Sequence, residues 1–255
     1  MRRGLEGLRP GAWLPPFVAF GVVLALWQVL ATHEKFLLPT LGQVGSALAD
    51  YPGTLLANGG DTLAEALPGV AISSAVALLL AVAMDQSRLL TRAFLPLAVA
   101  LNVSPLLAIA PTLTLFLGFG HAPKIVMAAV ITFFPVLINA LAGLRSADPR
   151  ALEVFASLSA SRWETLWRLR LPSSLPYLFA AARVVVPLSV VGAAIAEMVA
   201  VSNNGLGLLI EQKSSNDQLG FAWAGIVTLA VFGLLLTAIV LLAEDRVLRW
   251  RGFKQ

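Results

Sequence analysis

The sequence predicts an all-α integral membrane protein with six transmembrane helices. Three observations point there. The 255-residue chain is 58% hydrophobic and 13% charged, whereas soluble domains carry roughly 25% charged residues. Six apolar stretches come near the ~20 residues that a helix needs to cross a bilayer. Fourteen of the eighteen Lys and Arg residues fall on segments that share one side of such a membrane, three fall on the other, and Arg183 lies inside the fifth stretch. That bias marks the richer side as cytoplasmic and places both termini there. Residues 1–255 read as a single transmembrane domain with a charged cytoplasmic segment at 145–172.

The first apolar stretch, about 13–31, follows Arg2, Arg3 and Arg9. A charged start before an apolar run is also the layout of a signal peptide. The run ends in Ala31, Thr32, His33 and Glu34 without a clear small-x-small cleavage site, so a retained first helix is expected. Residues 32–60 carry Pro39, Pro52, Gly53, Gly59 and Gly60 and read as a connector. A short helix is expected within it at about 41–50, entered by Pro39 and Thr40. The second span is placed at 62–84, with Asp61 and Glu65 one turn apart at its outer end. Both acids are expected to be solvated, with a gating role as the alternative. Residues 85–92, DQSRLLTR, read as a short polar loop.

The third span, 94–118, contains Asn102, Ser104, Pro105, Pro111, Thr112 and Thr114. Each proline removes a backbone donor and disfavours a straight helix. Backbone freed in this way is tolerated in a membrane only against protein or a water-filled cavity. The reading is therefore either a kinked helix packed on its neighbours or a discontinuous helix beside a solute path. GFGHAP at 118–123 reads as a tight turn. The fourth span, 124–144, contains Pro135 and Asn139. Asn102, Ser104 and Asn139 are the candidates to line a solute path, together with Pro105 and Pro111.

The fifth span is placed at 174–199 and contains Arg183 and Glu197. Arg183 is expected to face an anionic solute, to pair with a neighbour or to snorkel toward the inner surface. Glu197, near the outer end, reads as a gate or binding-protein contact, or as a wetted interfacial acid. Residues 202–220 form a second polar connector, in which Gly205 and Gly207 turn the chain before a short outer helix. The sixth span is placed at 221–243.

Several chemistries are excluded. The chain has no cysteine, so disulfides, thiolate metal sites and a cysteine nucleophile are absent. His33 and His121 are the only histidines and fit no metal-ligand spacing. A net charge of +4 reflects membrane topology and gives no ground for a nucleic-acid partner. No G-x-x-x-x-G-K-[ST] occurs, so the chain has no P-loop for ATP. Any ATP that drives it is hydrolysed on another polypeptide.

The segment 145–172 is the part that the membrane does not explain. Trp163, Leu166, Trp167 and Leu169 recur at helical spacing, with Arg162, Arg168 and Arg170 as a cationic edge. Pro172 is expected to stop this helix and direct the chain into the fifth span. On these residues alone, an amphipathic helix held at the lipid surface remains an alternative. The spacing is specific, however. Glu153 is followed six residues later by Ser159, and nine residues then lead to Leu169-Arg170-Leu171-Pro172.

This resembles the signature loop of ABC-transporter permeases, which reads E-A-A, three residues, G, nine residues, I-x-L-P. Glu153, Leu169, Leu171 and Pro172 match it. Val154 and Phe155 replace the two alanines, and Ser159 replaces the glycine. With serine there, the bend is expected to be gentler, or Ser159 caps the second helix, for which Ser161 is an equally good cap. The resemblance continues through LPT at 38–40, SPLLAIAPTLTLFLGFG at 104–120, FFPVLINALAGL at 133–144, SRWETLWRLRLPSSLPYLFAAARV at 161–184, AAIAEMV at 193–199 and GLGLLI at 205–210. In order and spacing the chain is similar to importer permeases for sulfonates, taurine, nitrate and pyrimidine vitamin precursors.

The resemblance implies a type I ABC importer permease of MetI-like architecture in a bacterial inner membrane, with no enzymatic activity of its own. It implies two permease copies, two cytoplasmic ATPase subunits that hold ATP and Mg, and an extracytoplasmic solute-binding protein. It also implies that Glu153, Ser159, Ala160, Ser161, Arg162, Trp163, Leu166, Leu169, Leu171 and Pro172 form the ATPase-coupling element. Two other classes are kept in view. An ion-coupled secondary transporter working alone is expected to carry acids deep in its bundle. A purely structural membrane subunit gives no reason for the proline-broken, polar third span.

Overall fold

The structure is a computed structural model that describes residues 10–33, 38–103, 106–199 and 204–250, and every regular element among them is helical. In chain order these are α1 (Pro10–His33), α2 (Leu41–Asp50), α3 (Pro52–Gln86), α4 (Arg88–Val103), α5 (Leu106–Leu117), α6 (His121–Leu144), α7 (Pro149–Ser157) and α8 (Arg162–Thr165). A π-helical turn (Leu166–Arg170) follows, then α9 (Leu171–Val199), α10 (Leu206–Ser215) and α11 (Leu219–Trp250).

Among the described residues, four stretches are long and apolar enough to cross a membrane: α3, α6, the continuous run from Arg162 to Val199, and α11. α1 contributes a shorter apolar run, Phe17–His33. The expected third span, 94–118, is covered by α4 up to Val103 and by α5 from Leu106. Ser104 and Pro105, between these two helices, lie outside the described residues. Pro111 sits inside α5 without ending it.

Several boundaries differ from those read in the sequence. α3 starts ten residues before the expected second span, because Pro52 occupies its first turn, where a missing N–H costs nothing. Gly59 is helical rather than a loop residue, and a Cβ there would lie 2.1 Å from a ring carbon of Phe232. The expected loop at 85–92 shrinks to Ser87, whose hydroxyl accepts the Leu90 N–H at 3.4 Å. α2 follows the expectation: Thr40 and Gln43 form a reciprocal capping box.

The most extensive packing is that of α6 against α3 and against α9. Their shared core joins Ala77, Ala81 and Met84 of α3 to Leu137, Ala140 and Leu144 of α6 and Val185 of α9. Small residues bring the backbones close, as membrane interfaces require in the absence of a hydrophobic drive between helices. A Cβ on Gly69 would lie 2.6 Å from the Ala128 Cβ and 2.8 Å from the Ile125 carbonyl. A second core joins α2, α10 and α11 through Val44, Leu206, Leu209 and Ala224. α1 is fastened to this side by Trp27, which stacks edge-on against Trp223 at 4.3 Å and donates to the Pro39 carbonyl at 2.9 Å.

This arrangement gives the bundle two polar ends. The ends of α3 and α6 and the entry to α9 meet at one of them, beside α7 and α8. The starts of α6 and α10 and the end of α9 meet at the other.

Candidate coupling site and the polar clusters at the span ends

The coupling segment is built from two capped helices and an unusual turn. Asp148 caps α7, its carboxylate accepting the Arg150 N–H at 2.9 Å, and Pro149 fills the first position. At the other end of α7, the Ser159 N–H donates to the Ala156 carbonyl and the Ala160 N–H to the Phe155 carbonyl, both at 3.0 Å. This pair of bonds is a Schellman motif, which places its closing residue in the left-handed region. That residue is Ser159, at φ 56°. The turn is therefore as sharp as glycine would make it. The cap of α8 is Ser161, whose hydroxyl accepts the Glu164 N–H at 3.1 Å.

An L-residue in this region costs roughly 1–2 kcal/mol. Ser159→Gly is expected to relieve about 1 kcal/mol of it, and Ser159→Val to add strain. Slower hydrogen exchange at residues 158–160 in the glycine variant, and faster exchange in the valine variant, would show this.

Pro172 does not stop the helix. Backbone helix runs without interruption from Arg162 to Val199. The π-turn accounts for it. The Leu171 N–H reaches back five residues to the Leu166 carbonyl, which widens the helix just before the proline ring would meet the carbonyl four residues earlier. Two serine hydroxyls add bonds to this stretch: Ser173 Oγ donates to the Leu169 carbonyl and Ser174 Oγ to the Leu171 carbonyl, both at 2.8 Å. A displacement of α8 thus passes directly into a membrane-crossing helix.

Exposure separates the two faces of the segment. Leu166 is 2% exposed and joins the main core, whereas Trp163 and Trp167, one turn apart, are 67% and 65% exposed. Val154 and Leu158 extend the uncovered apolar surface onto α7. Glu153, Ser161 and Arg162 are exposed, and Ala160, Leu169, Leu171 and Pro172 are half-buried. Asp85, at the end of α3, ties the segment to the bundle. Its carboxylate is nearly enclosed, forms a salt bridge with Arg170 of the π-turn, and lies 3.8 Å from Arg145 Nε just after α6.

The opposite end holds a second cluster. Glu65 and Glu197, expected at wetted positions, are both fully buried. Lys124, also buried, donates to Glu65 Oε1 at 2.6 Å, and His121 Nδ1 lies 2.8 Å from the same oxygen. Glu197 Oε2 accepts from the Gly207 N–H at 2.6 Å and from Thr62 Oγ1 at 3.1 Å. Thr62 in turn accepts the Leu206 N–H at 3.0 Å, and Asn58 accepts the Gly205 N–H at 3.0 Å. The carboxylate therefore fastens the 205–207 turn. Glycine is required twice there. Gly205 has φ 115°, and a Cβ on Gly207 would lie 2.0 Å from the Ala194 carbonyl oxygen. On one oxygen of each acid, a cation or directed donors replace water.

The remaining described candidates, Arg183, Asn139 and Pro111, have separate surroundings. Arg183 pairs with the nearly buried Glu244 of α11 through two guanidinium nitrogens, so its charge is met by a neighbour. Asn139 donates to the Pro135 carbonyl of its own helix at 2.8 Å. Pro111 is exposed. Ser104 and Pro105 lie outside the described residues, as does the Asn102 side chain.

Residues 72–249 match the family described as the binding-protein-dependent transport system inner membrane component. The chain belongs to this family. The formylaminopyrimidine transport permease protein ThiX of Halalkalibacterium halodurans is 30% identical over 93% of this chain and 96% of its own length. The riboflavin transport system permease protein RibX of Chloroflexus aurantiacus is 32% identical over 95% and 91%. The taurine transport system permease protein TauC of Escherichia coli is 27% identical over 91% and 87%. Among solved structures, an inward-facing MetNI methionine ABC transporter matches with a TM-score of 0.60 at 21% identity, covering 77% of this chain and 95% of the other. The ABC-permease resemblance read from the motifs is thereby established, and the fold is that of the MetI-type permeases.

Two functional-looking residues of this transport component escape a reading of the sequence. Asp85 is the only acidic residue between Glu65 and Asp148, with Arg88, Arg92 and Arg145 around it, and that isolation is its signal. Lys124 has no signal, since its partner is 59 residues away.

Proposed function

We propose that this chain is the membrane-spanning permease subunit of an ATP-driven importer. Two copies form the pathway, with both termini cytoplasmic. An extracytoplasmic binding protein delivers a small solute of the sulfonate, taurine, nitrate or heterocyclic vitamin-precursor type. Cytoplasmic ATPase subunits hold ATP and Mg and dock on α7 and α8. Their closure on ATP moves α8, the π-turn carries that movement into α9, and Asp85 carries it into α3. The pathway then changes from inward-open to outward-open, and hydrolysis resets it.

The observation that carries this reading is the unbroken helix from Arg162 to Val199, with two uncovered tryptophans at its start. A coupling element must be rigid, and it must present apolar anchors to a partner. An ion-coupled transporter working alone draws on the burial of Glu65 and Glu197. Both acids are fastened, however, one by Lys124 and the other by the 205–207 turn.

Purifying the tagged chain from its native membranes in mild detergent tests the proposal. A P-loop ATPase in stoichiometric amount is expected. A chain that purifies alone and still moves solute would instead favour the ion-coupled reading.

A further inference from the structure

Four helix ends converge at the coupling end of the bundle, and each brings an arginine or an aspartate. Asp85 comes from the end of α3, and Arg88 from the first position of α4 with Arg92 one turn on. Arg145 follows α6, and Arg170 closes the π-turn. They line a cleft of about 440 Å³. Four guanidinium groups therefore face one carboxylate. Asp85 already serves Arg145 and Arg170. Among the described residues no carboxylate pairs with Arg88 or Arg92. The cleft keeps an uncompensated positive charge at the level where the spans leave the apolar part of the chain.

We propose that this cleft binds the phosphate group of an anionic phospholipid. A guanidinium fork matches two phosphate oxygens at once. Basic pockets between membrane helices on the cytoplasmic side are suited to lipid headgroups. Position favours a lipid over a soluble anion. The cleft lies at span ends, where headgroups lie, and Leu89, between the two free arginines, is 77% exposed and offers apolar surface to an acyl chain. Acidic side chains of a docked protein are the competing occupant. Leu152 of α7 borders the cleft as well, but the two uncompensated cations, Arg88 and Arg92, belong to α4, outside the α7–α8 segment that carries the exposed tryptophans, so acidic side chains fit less well. The inference does not depend on the importer reading.

The test compares lipid retention by the delipidated full chain in detergent, read by native mass spectrometry. The probes are phosphatidylglycerol, cardiolipin, phosphatidylcholine and inorganic phosphate. The wild-type chain is expected to retain the two anionic lipids over phosphatidylcholine. The exposed double variant Arg88→Gln with Arg92→Gln is expected to bind them about thirty-fold more weakly, from about 1 kcal/mol per arginine. Arg249→Gln, on a cation paired to Asp245 away from the cleft, is expected to retain them fully. Equal retention of phosphatidylcholine, or anionic binding unchanged in the double variant, would overturn the proposal. Arginine-dependent binding of inorganic phosphate without lipid retention would overturn the lipid source. A double variant that keeps its lipid but loses a co-purifying protein would assign the cleft to a protein contact instead.

Discussion

Replacing Lys124 by methionine is expected to lower folding stability by about 3–5 kcal/mol, because it leaves the Glu65 carboxylate buried without its cation. Glu65 is fully enclosed and Lys124 is 2% exposed, so water cannot take the place of the lost partner. His121 shares the same carboxylate oxygen but is more than half exposed, and holds its charge only when protonated. The double variant Lys124→Met with Glu65→Gln is expected to recover most of the loss, since removing both charges also removes their desolvation cost. Breaking the exposed Arg249–Asp245 pair is expected to change stability by no more than about 1 kcal/mol. Unfolding midpoints of the four proteins in one detergent check the ranking. A single Lys124 variant as stable as the Arg249 variant would show that Glu65 is not held as an ion pair.

The second large effect falls on coupling. Replacing Trp163 and Trp167 by alanine is expected to weaken ATPase docking by at least about thirty-fold, the ~2 kcal/mol of an interface anchor. Both side chains are about two-thirds exposed, so their loss removes little core packing. The variant is therefore expected to fold, to insert and to unfold at nearly the wild-type midpoint. ATP-dependent uptake into proteoliposomes falls sharply, while ATP hydrolysis by the ATPase no longer responds to solute and binding protein. The reverse pattern, with lost stability and intact uptake, would make the tryptophans structural anchors at the lipid surface.

Local patterns made much of this molecule legible in its sequence. α2 could be placed because Pro39 and Thr40 mark its entry, a short-range signal that the Thr40–Gln43 capping box bears out. The segment proposed for coupling carries its motif in spacing confined to twenty residues. The 205–207 turn announced itself through two glycines. Features that depend on distant partners were not legible. Glu65 looked solvated because Lys124 is remote in sequence, and Glu197 looked interfacial because its donors come from Thr62 and Gly207. Pro172 looked like a helix stop because a π-turn has no distinct sequence signal. Ser159 was the subtlest case. A serine argued for a gentler bend, yet the Schellman bonds on either side of it over-determine the left-handed conformation. Within the expected span at 94–118, Ser104 and Pro105 lie outside the described part of the chain.

The central claim is that α8 is where a nucleotide-driven partner takes hold. The chain has no cysteine, so Trp163→Cys would carry its only thiol. The most direct measurement is thiol crosslinking of that variant in its native membranes, with Leu115→Cys as a control, since Leu115 is 81% exposed near the opposite end of the bundle. The account predicts that position 163 links to a P-loop ATPase, that the link changes when ATP is added, and that position 115 never makes it. Continued uptake with no ATPase linked to position 163 would contradict the account.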